Sequence, residues 1–377
     1  MLTYFKKKLW QYRILQVPLE LVPVGLRSIY EVGLKNSLHV GLARPMDIEG
    51  RILERGALHE SIEFVLPWKY LLTRDLSRRG AYELMADFSV WLIGYFRDQG
   101  LIVIPIVNFD DWMSLPARRS RRRVSWHTRG LKQGHLHLKV GVFPEFVSID
   151  DCGFGGWSSF SKEPVSQLPH IENERLHFEK LKQFVVGGRI SKYSQPEVLL
   201  KTDFGGDYLF FPMQVHTDVV AKLAWIDTVN LLKILAEYAP RSVRKIVVKR
   251  HPKCRSKKVT NLINNFEGIP NLYFSDGNIH DLIGGANAVV TVNSGVGAEA
   301  LLHRKPVIVT GESDYMAATI QVRESKKLIE TLSAPVISPP EIDFDRFIMN
   351  YCSNYMVKLG DRNSLAKHPI LHKFISQ

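Results

Sequence analysis

Residues 292–313 read VNSGVGAEALLHRKPVIVTGES, in which a short apolar strand ends in a polar, glycine-spaced turn and is followed by a helix and a second apolar strand. Strand, helix and strand in this order form a βαβ unit, whose strands lie parallel in one sheet with a right-handed crossover. The same alternation runs back to about residue 207, through DYLFFPMQV, RKIVVKRHP and IHDLIGGANAVV. The second half of the chain is therefore predicted to form a parallel sheet of the Rossmann type.

The length of 377 residues favours two domains, because one hydrophobic core rarely grows beyond ~250 to 300 residues. A helical pattern over 77–99 precedes LIVIPIVN, a run typical of a strand buried on both faces, so the first half is also predicted to be α/β. The polar segment 161–203 is broken by glycine and proline. We expect an N-terminal lobe over 1–203, a C-terminal lobe over 204–345 and a helical segment over 346–377 that packs back on the first lobe.

The composition restricts the class of protein and of partner. The formal net charge of +12 and the pI near 9.5 point to nucleic acid, an anionic membrane surface or a negatively charged substrate. Three widely spaced cysteines supply neither a disulfide framework nor a zinc site, which fits a reducing cytoplasm. The apolar runs are shorter than the ~20 residues of a membrane span, and we expect no signal peptide, because no A-x-A type cleavage site follows Met1. We expect a cytoplasmic chain.

Two basic segments are candidates for contact with an anionic surface. The first contains Lys6, Lys7 and Lys8 among apolar residues, a pattern that fits a helix lying on a membrane or a first helix packed on its domain. The second is RRSRRR, from Arg118 to Arg123. Such a run can bind nucleic acid or lipid headgroups, but a run of like charge is more often a solvated loop. Both are candidate contacts with the inner face of the cytoplasmic membrane.

Three polar clusters follow strands of the predicted C-terminal sheet: QVHTD at 214–218, KRHP at 249–252 and NSGVG at 293–297. Ligands of open α/β sheets bind beyond the carboxyl ends of the strands, so we expect these clusters to share one site. In the third cluster, glycine lets a backbone with positive φ approach a phosphate, which Ser294 and the N–H groups of the next helix hold. Glu299 then accepts from a ribose hydroxyl. Helix capping by Asn293 and Ser294 explains the cluster equally well.

The other two clusters add charged candidates. His251 follows a buried strand and can donate to a phosphate oxygen, and Lys249, with Arg250 beside it, can stabilise the charge of that phosphate. Pro252 fixes the backbone just after His251, so His251, Lys249 and Pro252 are candidate nucleotide-binding residues. Asp218 lies four residues after Gln214, so both face the site if a helix begins there. The alternative is that Asp218 caps that helix or lies in its first turn.

One acidic turn stands out in the first half, IDDCGFGG at 149–156. The adjacent carboxylates Asp150 and Asp151 are candidates for a general base. An ordinary Asp-Gly turn is an equal explanation. Neither D-x-D nor a His/Cys spacing suggests a metal, and we expect none.

The acidic turn, QVxxD, HP and SGxGxEALxxxKPV follow one another in an order that resembles the bacterial capsule and lipopolysaccharide β-Kdo glycosyltransferases, over residues 125–320. The resemblance implies a GT-B-like α/β fold, with two Rossmann-like lobes, parallel sheets and a cleft between them. It also implies transfer of Kdo or a related ulosonic acid from a CMP-activated donor to an oligosaccharide or glycolipid acceptor, with retention and without a metal or other cofactor. A donor with two anionic groups accounts for the basic charge without nucleic acid.

The resemblance also implies roles for individual residues. Asp218 is the nucleophile of a double displacement, with Gln214 beside it, and Asp150 or Asp151 deprotonates the acceptor. Glu145 is a reserve candidate for the base, because DDCGF departs from the tighter acidic turn of many relatives. The cytidine nucleotide is held by the residues of the HP and Ser-Gly motifs, which here are His251, Ser294, Gly295 and Gly297.

Two alternatives stay open from the sequence. One is a transferase of the same fold that uses CMP-sialic acid or another nucleotide sugar. The other is a basic module that binds nucleic acid or a membrane surface, which depends on the charge clusters and leaves the motifs at the strand ends unexplained.

Overall fold

The computed structural model describes residues 61–67, 79–108, 122–130, 132–196 and 204–376. Its strands are β1 Ile62–Pro67, β2 Val103–Asn108, β3 Arg122–Trp126, β4 His135–Val140, β5 Phe146–Asp150, β6 Tyr208–Pro212, β7 Lys245–Lys249, β8 Leu272–Phe274, β9 Ala286–Thr291, β10 Val307–Val309, β11 Ile320–Gln321 and β12 Met356–Lys358. Its α-helices are α1 Arg79–Asp98, α2 Glu174–Lys182, α3 Thr228–Tyr238, α4 Lys257–Phe266, α5 Ile279–Gly285, α6 Val296–Leu302, α7 Ser325–Ser333, α8 Phe344–Asn350, α9 Arg362–Lys367 and α10 Pro369–Ile375.

The described residues form two compact units, each with its own sheet. Unit 1 contains the described parts of 1–141, together with 145–154 and 354–376, and unit 2 contains 142–144 and the described parts of 155–353. The sheet of unit 1 has the order β12-β5-β4-β3-β1-β2. Four of its strands are parallel, whereas β5 and β12 pair antiparallel at one edge. The expectation of an all-parallel first sheet is therefore corrected at this edge.

The core of unit 1 lies between its sheet and helices from both ends of the chain. Phe88 and Phe96 of α1 and Phe374 of α10 are buried with the apolar side chains of β1, β3 and β4. One ion pair lies inside this core: the Nε atom of Arg123 in β3 donates to Glu63 of β1 at 2.8 Å, and both side chains are almost fully buried. The two residues are direct partners in the β1–β3 register, so each charge meets its counter-charge.

The sheet of unit 2 has the order β11-β10-β9-β6-β7-β8, and all of its described pairings are parallel. Strands β6, β7 and β9 are mostly buried and have apolar centres, as expected for strands covered on both faces. The order reverses beside β6, because β7 and β8 continue on one side whereas β9, β10 and β11 lie on the other. This arrangement confirms the predicted βαβ alternation and places a topological switch point between β6 and β9.

The helix predicted to follow QVHTD is interrupted in the structure. Val219–Leu223 forms a 3-10 helix, and α3 begins later, at Thr228. The carboxylate of Asp227 accepts from the backbone N–H groups of Val229 and Asn230, at 2.9 and 3.1 Å, and so fixes the start of α3. The loop between β6 and α3 is therefore longer than the sequence pattern indicates.

The unit boundaries differ from the expected division at residue 203. The stretch 155–196 belongs to unit 2, where Arg189 forms a bidentate ion pair with Asp281 and Phe160 packs against Tyr351. The C-terminal segment also divides differently: α8 lies in unit 2, and the return to unit 1 begins with strand β12 rather than with a helix. Helices α9 and α10 follow that strand in unit 1, and their residues Leu365, Leu371 and Phe374 join its core.

The structure also bears on the two basic segments. Lys6, Lys7 and Lys8 lie outside the described residues, as do Arg118 and the next three positions. Arg122 and Arg123 are buried in β3, so the end of RRSRRR is not a surface patch. Within the described part of the chain, no helix is long and apolar enough to cross a membrane.

Candidate functional site

The loops after β6 and β9 meet at the switch point of the unit 2 sheet. The side-chain Oε1 of Gln214 accepts from the backbone N–H of Asn293 at 3.1 Å, which joins the two loops directly. The side-chain amide of Asn293 donates to the backbone oxygens of Val220 and Glu312, at 2.9 and 3.0 Å. Two of the predicted site residues therefore hold the floor of the site together, and Asn293 Nδ2 is committed to backbone oxygens rather than left for a nucleotide.

Asp218 and His251 come together from the ends of β6 and β7. Asp218 is exposed and caps the 3-10 helix, accepting from Val220 N at 3.4 Å. His251 is half-buried, and burial lowers its pKa, whereas the nearby charge of Asp218 raises it. The positive charges of Lys192 and Lys253 lower the pKa of His251 further. The imidazole is therefore neutral at pH 7 and close to an exposed carboxylate.

The tautomer of His251 follows from one hydrogen bond. Its Nδ1 accepts from the backbone N–H of Lys253 at 3.1 Å, so in the neutral ring the proton lies on Nε2. The edge-to-face contact with Tyr193, at 5.1 Å between ring centroids, fixes the ring plane. His251 thus offers one oriented N–H donor, which is the group needed to bind a phosphate oxygen.

Lys249 and Pro252 do not share this position. The ammonium of Lys249 donates to the backbone oxygens of Asp276 and Gly277, at 3.0 and 2.5 Å, and its side chain is largely buried. Burial also lowers its pKa. Lys249 therefore holds the loop after β8, and the prediction that it contacts the nucleotide has no geometric support. Pro252 is exposed beside His251.

The Ser-Gly turn before α6 is shaped by packing against Tyr315. The Tyr315 hydroxyl donates to the backbone oxygen of Ser294, and a Cβ atom added to Gly297 would collide with the Tyr315 ring. A Cβ on Gly295 would approach Val142 Cγ2 to 2.9 Å. Neither glycine has a positive φ, so the expectation of left-handed backbone here is wrong. The glycines are needed because there is no room for a side chain.

Glu299 lies beneath the site and not on its surface. Its side chain is fully buried, and burial raises its pKa to about 7, although a hydrogen bond from Ser191 and the charge of Lys192 lower it. Its Oε1 atom has no hydrogen-bond partner among the described residues. The carboxylate is covered in this structure, so the contact of Glu299 with ribose stays a prediction.

The acidic turn of unit 1 separates its three candidate bases. Asp150 is completely buried, and its Oδ1 accepts from the N–H groups of Cys152 and Gly153 at 2.7 and 2.9 Å. Asp151 has a side chain that is 29% exposed and lies 4.0 Å from the ammonium of Lys373. Glu145 is more exposed and pairs with Lys358 at 3.2 Å. Asp150 therefore shapes the turn, and Asp151 is the carboxylate that the turn presents.

Among the described residues, Asp150, Asp151 and Cys152 form one group whose ligand atoms lie within 4.8 Å of one another. An acidic turn of this kind is common without an ion, and Asp150 is already committed to backbone N–H groups. That the reaction needs no metal stays a prediction.

The segment Ser191–Lys192–Tyr193 is a functional candidate that no sequence motif indicates. It supplies a hydrogen bond to Glu299, a cation near both Glu299 and His251, and the ring that contacts His251. The sequence predicts a connection between lobes here, because the segment follows a Gly-Gly pair and shows no helical or strand period. Its basic and aromatic residues were the available signal.

Comparison with known proteins confirms the predicted resemblance. Residues 176–328 match the family described as capsule polysaccharide biosynthesis protein. Protein FixF of Sinorhizobium fredii is 28% identical over 204 residues, which cover 52% of this chain and 46% of FixF. The chain thus spans about half the length of this curated relative.

Solved structures extend the comparison to the fold. The β-Kdo 2,4 transferase of Thermosulfurimonas dismutans KpsC matches with a TM-score of 0.50 and 14% identity, over 84% of this chain and 98% of that one. The β-Kdo 2,7 transferase of the same protein matches with a TM-score of 0.48 and 14% identity, over 80% and 94%. The first match confirms the predicted GT-B-like α/β fold class.

Proposed function

We propose that this chain, whose residues 176–328 match the capsule polysaccharide biosynthesis family, is a glycosyltransferase that moves Kdo or a related ulosonic acid from a CMP-activated donor to a saccharide acceptor. The observation that carries the proposal is that the exposed Asp218 carboxylate, after β6, is near enough to raise the pKa of the oriented imidazole of His251, after the neighbouring strand β7. A carboxylate and a phosphate donor that approach from neighbouring strand ends are parts that a nucleotide-sugar site requires. The transferred sugar is carried over from the β-Kdo transferase of similar fold, and its activation by CMP from the sequence resemblance.

The nucleotide half of the site needs donors and positive charge more than an acid, because CMP is already a good leaving group. His251 donates through Nε2 to a phosphate oxygen. Lys192 and Lys253 supply the cations, since both lie near enough to His251 to lower its pKa. In this arrangement Lys192 takes the role that the sequence analysis gave to Lys249.

The reaction then proceeds by two displacements. Asp218 attacks the anomeric carbon, the bond to the CMP oxygen breaks, and a glycosyl ester of Asp218 forms. The acceptor hydroxyl loses its proton to a base and displaces Asp218, so two inversions give retention. We assign the base to Asp151, because the carboxylate of Asp150 is committed to two backbone N–H groups.

The proposal is tested by trapping the ester. Purified protein is incubated with CMP-Kdo generated in situ, without acceptor, and its intact mass is measured. We expect a Kdo adduct on the wild-type chain and on Asp151→Asn, and none on Asp218→Ala. The matched control is Asp207→Asn, because Asp207 precedes the opposite end of β6 and is exposed.

An adduct that survives in Asp218→Ala contradicts the nucleophile assignment. Absence of any thermal stabilisation by CMP contradicts the CMP-sugar donor, because a ligand that binds the folded state must raise its apparent stability.

A further inference from the structure

A cavity of about 260 Å³ lies at the switch point of the unit 2 sheet, beside the loop after β6. Gln214 follows β6 and Val292 follows β9, and both line it. The remaining lining residues come from the loop 216–227 and from the first turns of α3 and α4. The cavity therefore lies in the crevice where ligands of open α/β sheets bind.

Three polar atoms of residues that line this cavity are buried and have no hydrogen-bond partner among the described residues: Gln214 Nε2, His216 Nδ1 and Thr228 Oγ1. Gln214 is 6% exposed and Thr228 is 3% exposed. A buried polar group without a partner costs stability, and native structures contain few of them. Three such atoms around one cavity need hydrogen-bond partners, which a polar ligand or water can supply.

The character of these groups identifies the ligand chemistry. Because Gln214 Oε1 already accepts from Asn293 N, the amide group left for the cavity is Nε2, which only donates. The ammonium of Lys258, which also lines the cavity, only donates, and the hydroxyl of Thr228 and the imidazole of His216 are able to donate. Four donors in one cavity favour a ligand group that accepts on every side.

Among the described residues that line the cavity, only Asp227 carries a carboxylate, and both of its oxygens already accept hydrogen bonds. Its Oδ1 accepts from Val229 N and Asn230 N, and its Oδ2 accepts from the side-chain amide of Asn230 at 2.6 Å. These bonds hold its charge at the start of α3. A negatively charged ligand therefore meets the ammonium of Lys258, while the Asp227 carboxylate is held by its own donors.

We propose that this cavity binds the carboxylate end of a sugar acid, with Gln214, His216, Thr228 and Lys258 as its hydrogen-bond donors. The volume suits this size, because pockets for larger ligands measure ~300 to 1,000 Å³ and a water molecule occupies ~30 Å³. The inference rests on the proposed function, in which the transferred group is an acidic sugar. It assigns recognition of the sugar carboxylate to a place separate from the phosphate donor His251.

The test measures binding of free Kdo and of its C1 amide to the full chain by titration calorimetry, at one salt concentration. We expect Kdo to bind at least about 10-fold more tightly than the amide, as for loss of one charge-assisted hydrogen bond. Lys258→Met should weaken Kdo binding by about 5-fold to 10-fold. The matched control is Lys257→Met, the preceding exposed lysine, which does not line the cavity and should leave the affinity within about 2-fold.

A second variant separates binding from folding. Thr228→Val keeps the shape of the side chain and removes a hydroxyl that has no partner in the described structure, so the melting temperature should stay the same or rise. Kdo affinity should nevertheless fall several-fold. A loss of affinity together with unchanged stability supports the hydrogen bond to the ligand.

Three results would overturn the inference: equal binding of Kdo and its amide, equal effects of Lys257→Met and Lys258→Met, or no binding of Kdo while CMP still stabilises the chain. In the last case the cavity holds water alone, and the proposed transferase function is unaffected. If instead Kdo binds with the expected discrimination and CMP does not bind, the cavity assignment is supported and the CMP-sugar function is contradicted.

Discussion

The acidic turn of unit 1 and the strand-end loops of unit 2 are both polar, but they satisfy their polar groups differently. In unit 1, Thr128 hydrogen bonds to Nδ1 of buried His137 at 2.7 Å, the Nε2 of His137 donates to Gly130 O at 3.1 Å, and Gly130 N donates to Cys152 O at 2.8 Å. Asp150 then accepts from the turn itself. In unit 2, several buried polar atoms have no partner among the described residues.

The difference separates a scaffold from a binding site. The unit 1 turn is complete without a ligand, and burial lowers the pKa of His137 to about 4, so the ring stays neutral in its hydrogen bonds. In unit 2, the donors Gln214 Nε2 and Thr228 Oγ1 and the carboxylate oxygen Glu299 Oε1 are buried without a partner among the described residues, which costs stability. Substitution of Asp150 in the unit 1 turn should therefore mainly change stability, whereas substitution of Asp218 in the unit 2 loops should mainly change ligand binding and catalysis.

The largest expected effect is that of Asp218→Asn on the transfer rate. We expect kcat to fall at least ~10³-fold, because the amide cannot form the glycosyl ester. The free energy of unfolding should change by less than ~0.5 kcal/mol, because Asp218 is exposed and its capping bond is long. Transfer assays and urea unfolding measure the two quantities. If Asp218→Asn instead lost much stability and kept normal activity, Asp218 would be a structural residue and not part of a binding site.

The second prediction concerns Glu299, whose pKa of about 7 exceeds the ordinary value of 4.5. Between these values the folded state binds more protons than the unfolded state, so the contribution of Glu299 to stability falls as pH rises from 4.5 to 7. Above pH 7 the buried group must ionise, which costs about 3 kcal/mol because its pKa is raised from 4.5 to about 7. Glu299→Gln should therefore be more stable than wild type at pH 8, and nearly equal at pH 5.

Urea unfolding at both pH values checks this prediction. A stability difference that is the same at pH 5 and pH 8 would show that ionisation of Glu299 is not its cause. CMP affinity, measured in parallel at pH 8, separates a role in the site from a role in folding.

The third prediction breaks the unit 1 turn. Asp150→Ala removes the acceptor of two backbone N–H groups, so unfolding should become easier by about 2 kcal/mol. The matched variant Asp151→Ala, at a partly exposed position, should change stability by less than ~0.5 kcal/mol. Thermal unfolding of the two variants decides between them, and equal destabilisation would contradict the assignment of Asp150 as the structural member of the pair.

The sequence predicted the unit 2 sheet well because its signal is local. Each buried strand is a short apolar run, and each is followed by a polar cluster at the edge where the ligand is expected. The sequence does not decide where α3 starts, because Asp218 and Asp227 are both good capping residues and apolar positions continue between them. In the structure α3 starts after Asp227, whose carboxylate accepts from the backbone N–H groups of Val229 and Asn230.

The site was less predictable than the sheet, because the role of a charged side chain depends on distant partners. By their positions along the chain, Lys249 and Glu299 fit the predicted contacts with phosphate and ribose. In the structure, Lys249 instead donates to two backbone oxygens of the loop after β8, and Glu299 is buried. Similarly, the sequence around Arg123 is typical of a basic loop. In the structure, the charge of Arg123 is paired inside the core with that of Glu63, which lies sixty residues earlier in the chain.

The smallest predicted effect tests the exchange of roles between two lysines. Lys192 lies near His251 and Glu299, so Lys192→Met should weaken CMP binding by about 3-fold to 10-fold, as for loss of one partly solvated cation. Lys249→Met removes hydrogen bonds to a loop and should lower the melting temperature while CMP affinity stays within about 2-fold. Calorimetric titration of both variants with CMP measures the contrast. If Lys249→Met weakens CMP binding more than Lys192→Met does, the lysine after β7 contacts the nucleotide as its sequence position suggested, and the segment 191–193 is a structural support.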